Sequence, residues 1–219
     1  ALAEGVRDLQ RLERIGTAEI VIADDHSTDR TEEVVAKVAV DPEVAASVDV
    51  RVVPVTRGAG LGAAIRTGLG AARGDVVVYT DADLPFDPAD IRRLLRAADR
   101  YEADVVCGYR FDRTVEGTRR GVQSHAYNAL VRALLPVHVR DVNFACKLLR
   151  RRVVDALVPE LESDGPFIDA ELVARCERHG FRIVQVGVDY FPRFDTTSAL
   201  SGPAAIRDIL REFREQRRS

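Results

Sequence analysis

Four apolar, β-branched runs punctuate the first half of the chain: AEIVIA at 18–23, VRVVPV at 50–55, DVVVYT at 75–80 and ADVVCG at 103–108. Each has the length and composition of a buried strand. Helical patterns fill the intervals: DDHSTDRTEEVVAKVA, the glycine-laced RGAGLGAAIRTGLGAARG, and DPADIRRLLRAADR. A further helix precedes them, with Leu2, Val6, Leu9, Leu12 and Ile15 at helical spacing and Gly16 just past its end. Asp29 and Glu32 have capping-box spacing, while Asp87 is placed to cap a helix that carries Pro88 at its first position. Strand and helix alternating through short loops predict an α/β domain with a parallel sheet and right-handed crossovers.

Beyond residue 110 the rhythm changes. An arginine-rich segment (110–120) leads into a helix, VQSHAYNALVRALL, and then into a strand, VNFACKLLRR. A short helix, the SDGPF loop, a helix over 168–179, a strand in FRIVQVGVDYF and an amphipathic helix at 203–219 follow. No repeat, low-complexity tract or linker divides the 219 residues, so they read as one domain.

Composition excludes several classes. A net charge of −3 argues against a surface that coats nucleic acid. Cys107, Cys146 and Cys176 are odd in number and widely spaced, as expected of reduced, partly buried thiols in a cytosolic protein. No apolar run approaches the roughly 18 residues that span a bilayer, and no signal peptide is visible, so a soluble chain is expected. There is no methionine, even at position 1, which predicts that the sequence is not a complete translation product.

Chemistry gathers where strands end. Asp81 and Asp83 follow the DVVVYT strand; if the strand persists, carboxylates at i and i+2 project to one side. Such a pair repels itself and holds a proton or a cation, and hard oxygen ligands suit Mg²⁺ or Mn²⁺. Asp87 already takes the capping position, which leaves the pair without that role. Asp24 and Asp25 end the first strand, where helix capping and ligand binding are both open readings. Gly58, Gly60 and Gly62 precede a helix; no Gly-Lys-Ser/Thr follows, so a Walker loop is excluded. Phosphate cradling and close packing against the sheet both fit that glycine string. Arg110, Arg119, Arg120 and Arg193 lie in loop-like segments, and arginine beside aspartates suits phosphate groups. Asp169 and Glu171 sit two apart on a helix and do not share a face, so one is expected to meet a site and the other to be solvated or to cap.

Taken in order, IADDHSTDRT, GAGLGAAIRTGLGAARGD, VVVYTDADL, VVCGYR, RRGVQSHAYNALVRALL, DVNFACKLLRR, ESDGPFIDAELVARCERHGFRI and DYFPR resemble the family 2 glycosyltransferases. The likeness is to the polyprenyl-phosphate, dolichol-phosphate mannose synthase-like branch, collinear over about residues 18–195. The resemblance implies a GT-A fold, a mixed, mostly parallel sheet flanked by helices. It also implies inverting transfer from a nucleotide-activated sugar (UDP- or GDP-linked). Residues 1–110 would form the nucleotide-sugar half and 111–200 the acceptor half. Asp24 and Asp25 match the acidic motif at the base or ribose, and Asp81 and Asp83 match the DxD motif that carries the divalent metal. Where that branch can add a glutamine ligand, this chain has Pro85.

Arg110, Arg120 and Ser124 match positions that cradle the acceptor's phosphate, and Arg193 an arginine that closes over the diphosphate. Asp141 stands where the family has an aspartate near the reacting sugar, and Asp169 or Glu171 where relatives place a base. Relatives begin with a strand and a Pro-x-Tyr-Asn-Glu-like turn ahead of the present start, so a preceding strand is expected. The expected partners are a nucleotide-sugar and a lipid phosphate or other small acceptor, with the 203–219 helix touching the inner membrane face. Competing expectations are a hydroxyl acceptor, a sugar-1-phosphate nucleotidyltransferase, or a non-catalytic nucleotide-sugar-binding domain.

Overall fold

The computed structural model describes residues 2–13, 15–56, 58–111, 135 and 137–191. Helix α1 (Leu2–Glu13) is followed by β1 (Ala18–Asp24), α2 (Thr31–Ala39), α3 (Pro42–Ala45), β2 (Val48–Pro54), α4 (Leu61–Ala71) and β3 (Val76–Thr80). A 3₁₀ turn (Pro88–Asp90) leads into α5 (Ile91–Arg100), then β4 (Val105–Arg110) and β5 (Cys146–Arg150). Helix α6 (Arg151–Leu157), a 3₁₀ turn (Val158–Glu160), α7 (Ile168–Arg178) and β6 (Ile183–Val188) complete the order. Of the expected features, the helix after residue 120, the terminal helix, and the site residues Arg120, Ser124 and Arg193 lie outside the described residues.

Local sequence sets the helix starts. Asp87 accepts the Ala89 N–H at 2.9 Å with Pro88 in the first position, as its spacing predicts, although the opening turn is 3₁₀. Asp29 accepts the Thr31 N–H at 2.9 Å. Helix α2 begins at Thr31, so Asp29 bonds that first residue and the expected box with Glu32 is replaced by a shorter turn.

β1 and β2 pair in parallel, from Ala18 opposite Val48 to Asp24 opposite Pro54. The other four strands form a sheet in the order β3-β5-β4-β6. β4 and β6 are parallel, while β5 runs against both β3 and β4. The first-half strands keep the directions their alternation with helices predicts, β1 with β2 and β3 with β4, and the reversed β5 from the second half makes the sheet mixed, as the resemblance implies. Among the described residues β1 and β3 are each paired along one edge only.

Pleating sends alternate residues of each strand to opposite faces. Val105, Cys107 and Leu149 meet α6 and α7 through Val153, Leu157, Ile168 and Leu172. Val106, Cys146, Leu148 and Val188 meet α5 and α1 through Ile91, Leu94 and Leu9. Leu148 and Leu149 are both fully buried, each contributing about 1.5–3 kcal/mol. The three cysteines are free and fully buried rather than partly so. Burial pushes Cys107 up to about 11, which leaves it a protonated, inert thiol.

Candidate active site

The carboxyl ends of β3, β4 and β6 and the amino end of β5 lie at one end of the sheet, and Asp81, Asp83, Arg110, Asp141 and Asp169 gather there. β3 stops at Thr80, so Asp81 and Asp83 stand on a turn rather than on the continued strand that the alternation argument assumed. Leu84 closes this turn with φ of 47°, donating its N–H to the Asp81 carbonyl at 3.1 Å. Phe86, 1% exposed, bridges to Tyr190, and the Phe191 N–H donates to the Pro85 carbonyl at 2.9 Å. The aspartate turn is thus pinned to the chain leaving β6.

Two properties mark the pair. Desolvation of its carboxyl, followed by the charges of Asp169 and Asp83, pushes Asp81 up to about 6, with Lys147 partly offsetting the rise, although the residue as a whole remains exposed. Asp83 Oδ1 is buried and has no hydrogen-bond partner. Two crowded carboxylates, one with an orphaned oxygen, fit a cation that would satisfy both. Among the described residues no group of three or more His, Cys, Asp or Glu side chains is arranged to hold a metal.

The other acidic candidates are engaged. Asp141, with a side chain 0% exposed, takes a bidentate pair from Arg110, Nε to Oδ2 at 2.7 Å and Nη2 to Oδ1 at 2.9 Å. The same guanidinium lies over the Phe144 and Tyr190 rings, 5.7 and 5.3 Å from their centroids. Asp169 accepts from the Lys147 ammonium at 2.5 Å and from the Tyr79 hydroxyl. The register explains this contact: Tyr79 and Cys107 both lie opposite Lys147, on the face that packs against α7. Burial opposes the Lys147 ammonium, but the Asp169 carboxylate outweighs it and the lysine titrates above its ordinary value.

Glu171 is neither solvated nor a cap of its own helix. Its carboxylate accepts from the backbone N–H groups of Glu162 at 3.0 Å and Ser163 at 2.9 Å, and from Arg175 Nε at 2.9 Å. It holds the loop before α7. Of the two residues, Asp169 is the one facing the sheet and the aspartate pair.

At β1, Asp24 accepts the Ser27 N–H at 3.3 Å and braces its own turn. Asp25 accepts the Gly60 N–H at 2.6 Å and pairs with His26, contacts that hold its carboxyl below the usual range. Neither caps α2. The glycine string resolves toward packing: Gly62 N–H donates to the Asp164 carbonyl at 2.7 Å, and a Cβ at Gly62 would collide with the Ser163 carbonyl. Arg66 ties down the same loop through the Ser163 carbonyl and the Asp164 carboxylate.

Sequence reasoning missed Lys147 and Tyr79. A signal existed for the first, since Lys147 is one of only two lysines and interrupts an apolar strand.

This arrangement is the GT-A fold. Glucosyl-3-phosphoglycerate synthase from Mycobacterium tuberculosis, solved with phosphoglyceric acid, superposes with a TM-score of 0.65 at 19% identity, covering 90% of this chain and 68% of that one. The same enzyme solved with Mn²⁺ and UDP-glucose gives 0.63 at 16% identity, covering 95% and 82%.

The glycosyl transferase family 2 profile matches residues 1–158, and the chain belongs to that family. It is 34% identical over 195 residues to glycosyltransferase AglD of Haloferax volcanii, covering 88% of this chain and 30% of that protein. It is 34% identical to the undecaprenyl-phosphate 4-deoxy-4-formamido-L-arabinose transferase of Pectobacterium carotovorum, covering 69% and 45%. Dodecaprenyl-phosphate galacturonate synthase of Rhizobium johnstonii is 32% identical, covering 62% and 39%. The chain therefore spans less than half the length of each of these curated relatives.

Proposed function

We propose that this domain transfers a sugar, with inversion, from a UDP- or GDP-linked donor to a polyprenyl or similar lipid phosphate. Asp81 and Asp83 would hold the Mg²⁺ or Mn²⁺ that the donor's diphosphate requires. The observation that carries this reading is the Asp83 oxygen, buried and without a partner beside a carboxylate already pushed up to about 6. Relatives named for undecaprenyl and dodecaprenyl phosphates, and a structural neighbour solved with Mn²⁺ and UDP-glucose, support it.

A divalent cation bound there supplies charge neutralisation as the diphosphate leaves. The remaining work falls to this chain's residues. Residues 1–110 take the donor, with Asp24 and Asp25 near its nucleoside and Arg193 at its diphosphate. Residues 111–200 take the acceptor, with Arg120 and Ser124 at its phosphate together with Arg110 from the end of β4. Arg110 is held in one orientation by Asp141 and by the two rings beneath it, which suits it to fixing an anion for in-line attack.

A phosphate acceptor is already anionic near neutral pH and needs no strong base. A hydroxyl acceptor needs a carboxylate free to take its proton. Asp141, Asp169 and Glu171 are each bound to cationic or N–H partners, which favours the phosphate over the hydroxyl. No helix among the described residues is long and apolar enough to cross a membrane, and the proposed site of action is the cytoplasmic face, with the 203–219 helix as the contact.

Thermal-shift measurements with UDP- and GDP-sugars, with and without Mn²⁺, test donor and metal together. A metal-dependent rise in melting temperature is expected for one nucleotide class, and Asp83→Ala should abolish it. If no nucleotide shifts the wild type, or if the variant responds equally, the assignment fails.

A further inference from the structure

Four buried side-chain polar atoms among the described residues have no hydrogen-bond partner: Gln10 Oε1, Asp83 Oδ1, and both the oxygen and the nitrogen of the Asn143 amide. Three of the four belong to two residues at one end of one sheet. β3 and β5 are antiparallel with Thr80 opposite Cys146, so the turn after β3 that carries Asp83 and the turn before β5 that carries Asn143 leave the same end of two paired strands. An unpaired buried donor or acceptor has lost its water without gaining a partner, which destabilises the fold. Leaving both halves of one amide unpaired is therefore a standing cost at the place where Asp83 carries another.

The surrounding backbone gives Asn143 little freedom to escape this cost. Asp141, two residues before it, is locked to Arg110. Val142 is 0% exposed and Phe144 4% exposed. The Phe144 carbonyl accepts from Lys147 Nζ at 2.9 Å and from the Cys146 N–H at 2.8 Å. Both flanks of Asn143 are fixed, and its amide is held in place with an acceptor and a donor unused.

We propose that Asn143 reads the hydroxyl groups of the transferred sugar. This rests on the donor site proposed at Asp81 and Asp83. A sugar attached to a diphosphate there lies next to the pair, and neighbouring hydroxyls offer what the amide lacks: one O–H to donate to its oxygen and one oxygen to accept from its NH₂. A buried amide that hydrogen-bonds a hydroxyl discriminates against a sugar that presents it differently, because the amide is then left unpaired again. Asn143 thus contributes to sugar choice, whereas the aspartates see only the diphosphate that all donors share.

Calorimetric titration of UDP, UDP-glucose, UDP-galactose, GDP and GDP-mannose in Mn²⁺ tests this on the wild type, Asn143→Ala and Asn143→Leu. Both variants should bind the preferred nucleoside diphosphate as the wild type does and bind the matching nucleotide-sugar about tenfold more weakly. Their ligand-free melting temperatures should equal or exceed the wild type's, since each removes an unpaired amide. Unchanged nucleotide-sugar affinity, or equal losses for diphosphate and nucleotide-sugar, overturns the inference about Asn143. A lower ligand-free melting temperature in both variants overturns it too, because the amide would then be structural. If the wild type binds no nucleoside diphosphate in Mn²⁺, the donor site itself fails and the inference fails with it.

Discussion

Lys147 is fully buried in β5, and its ammonium is compensated by Asp169, whose side chain is 4% exposed. Removing one member of such a pair strands the other charge. Lys147→Met should destabilise the protein by about 3–5 kcal/mol, measured by urea denaturation, and Lys147→Met with Asp169→Leu should recover much of the loss. Asp81 gives the opposite sign. Its folded-state value of about 6 lies above the ordinary carboxylate range, so the metal-free folded state binds more protons between the two values. The stability of chelator-treated protein should then fall as pH rises from about 4 to about 6, and Asp81→Asn should flatten that slope. A chelated wild type whose stability does not decline over this window refutes the assignment. The aspartates were legible in the sequence because a strand delivered them; the lysine's partner was not, because residues 147 and 169 meet only through strand register and helix docking.

Elements were legible where periodicity and caps agree, as at Asp87-Pro88 ahead of α5 and in the four apolar runs. The direction of β5 was hidden, because alternation is the same read either way. Helix α4 shows how far a pattern reaches. Its glycines suggested close packing against the sheet, which holds at Gly68, in ordinary contact with Ala23 of β1 at 3.6 Å, whereas Gly62 meets the 163–164 loop. The two positions should respond oppositely to alanine. Gly62→Ala forces the Ser163 carbonyl away from the helix start and should cost at least about 1–3 kcal/mol. Gly68→Ala adds only ordinary contact and should stabilise by about 0.5–1 kcal/mol through helix propensity. Chemical denaturation of both variants checks this, and equal effects would show that the loop yields freely.

At the scale of the molecule, one end of the sheet carries the aspartate pair proposed to hold a cation and a set of carboxylates that are already satisfied. The family resemblance named Asp141, Asp169 and Glu171 as chemically interesting, but sequence could not say which were spoken for. Their partners are Arg110, Lys147 and the 162–163 backbone with Arg175, and these are brought in by topology. An acceptor that brings its own negative charge suits such a site. Polyprenyl phosphate should therefore accept sugar while the corresponding polyprenol does not, measured as radiolabelled product at equal acceptor concentration. Glu171→Gln separates loop-holding from proton transfer. It weakens a carboxylate that accepts two N–H groups and one arginine, and should lower stability by about 1–3 kcal/mol. At a temperature well below its melting point, kcat with polyprenyl phosphate should stay within about threefold of wild type. A folded variant that loses about a thousandfold or more in kcat would make Glu171 a base, and would return the hydroxyl acceptor to first place.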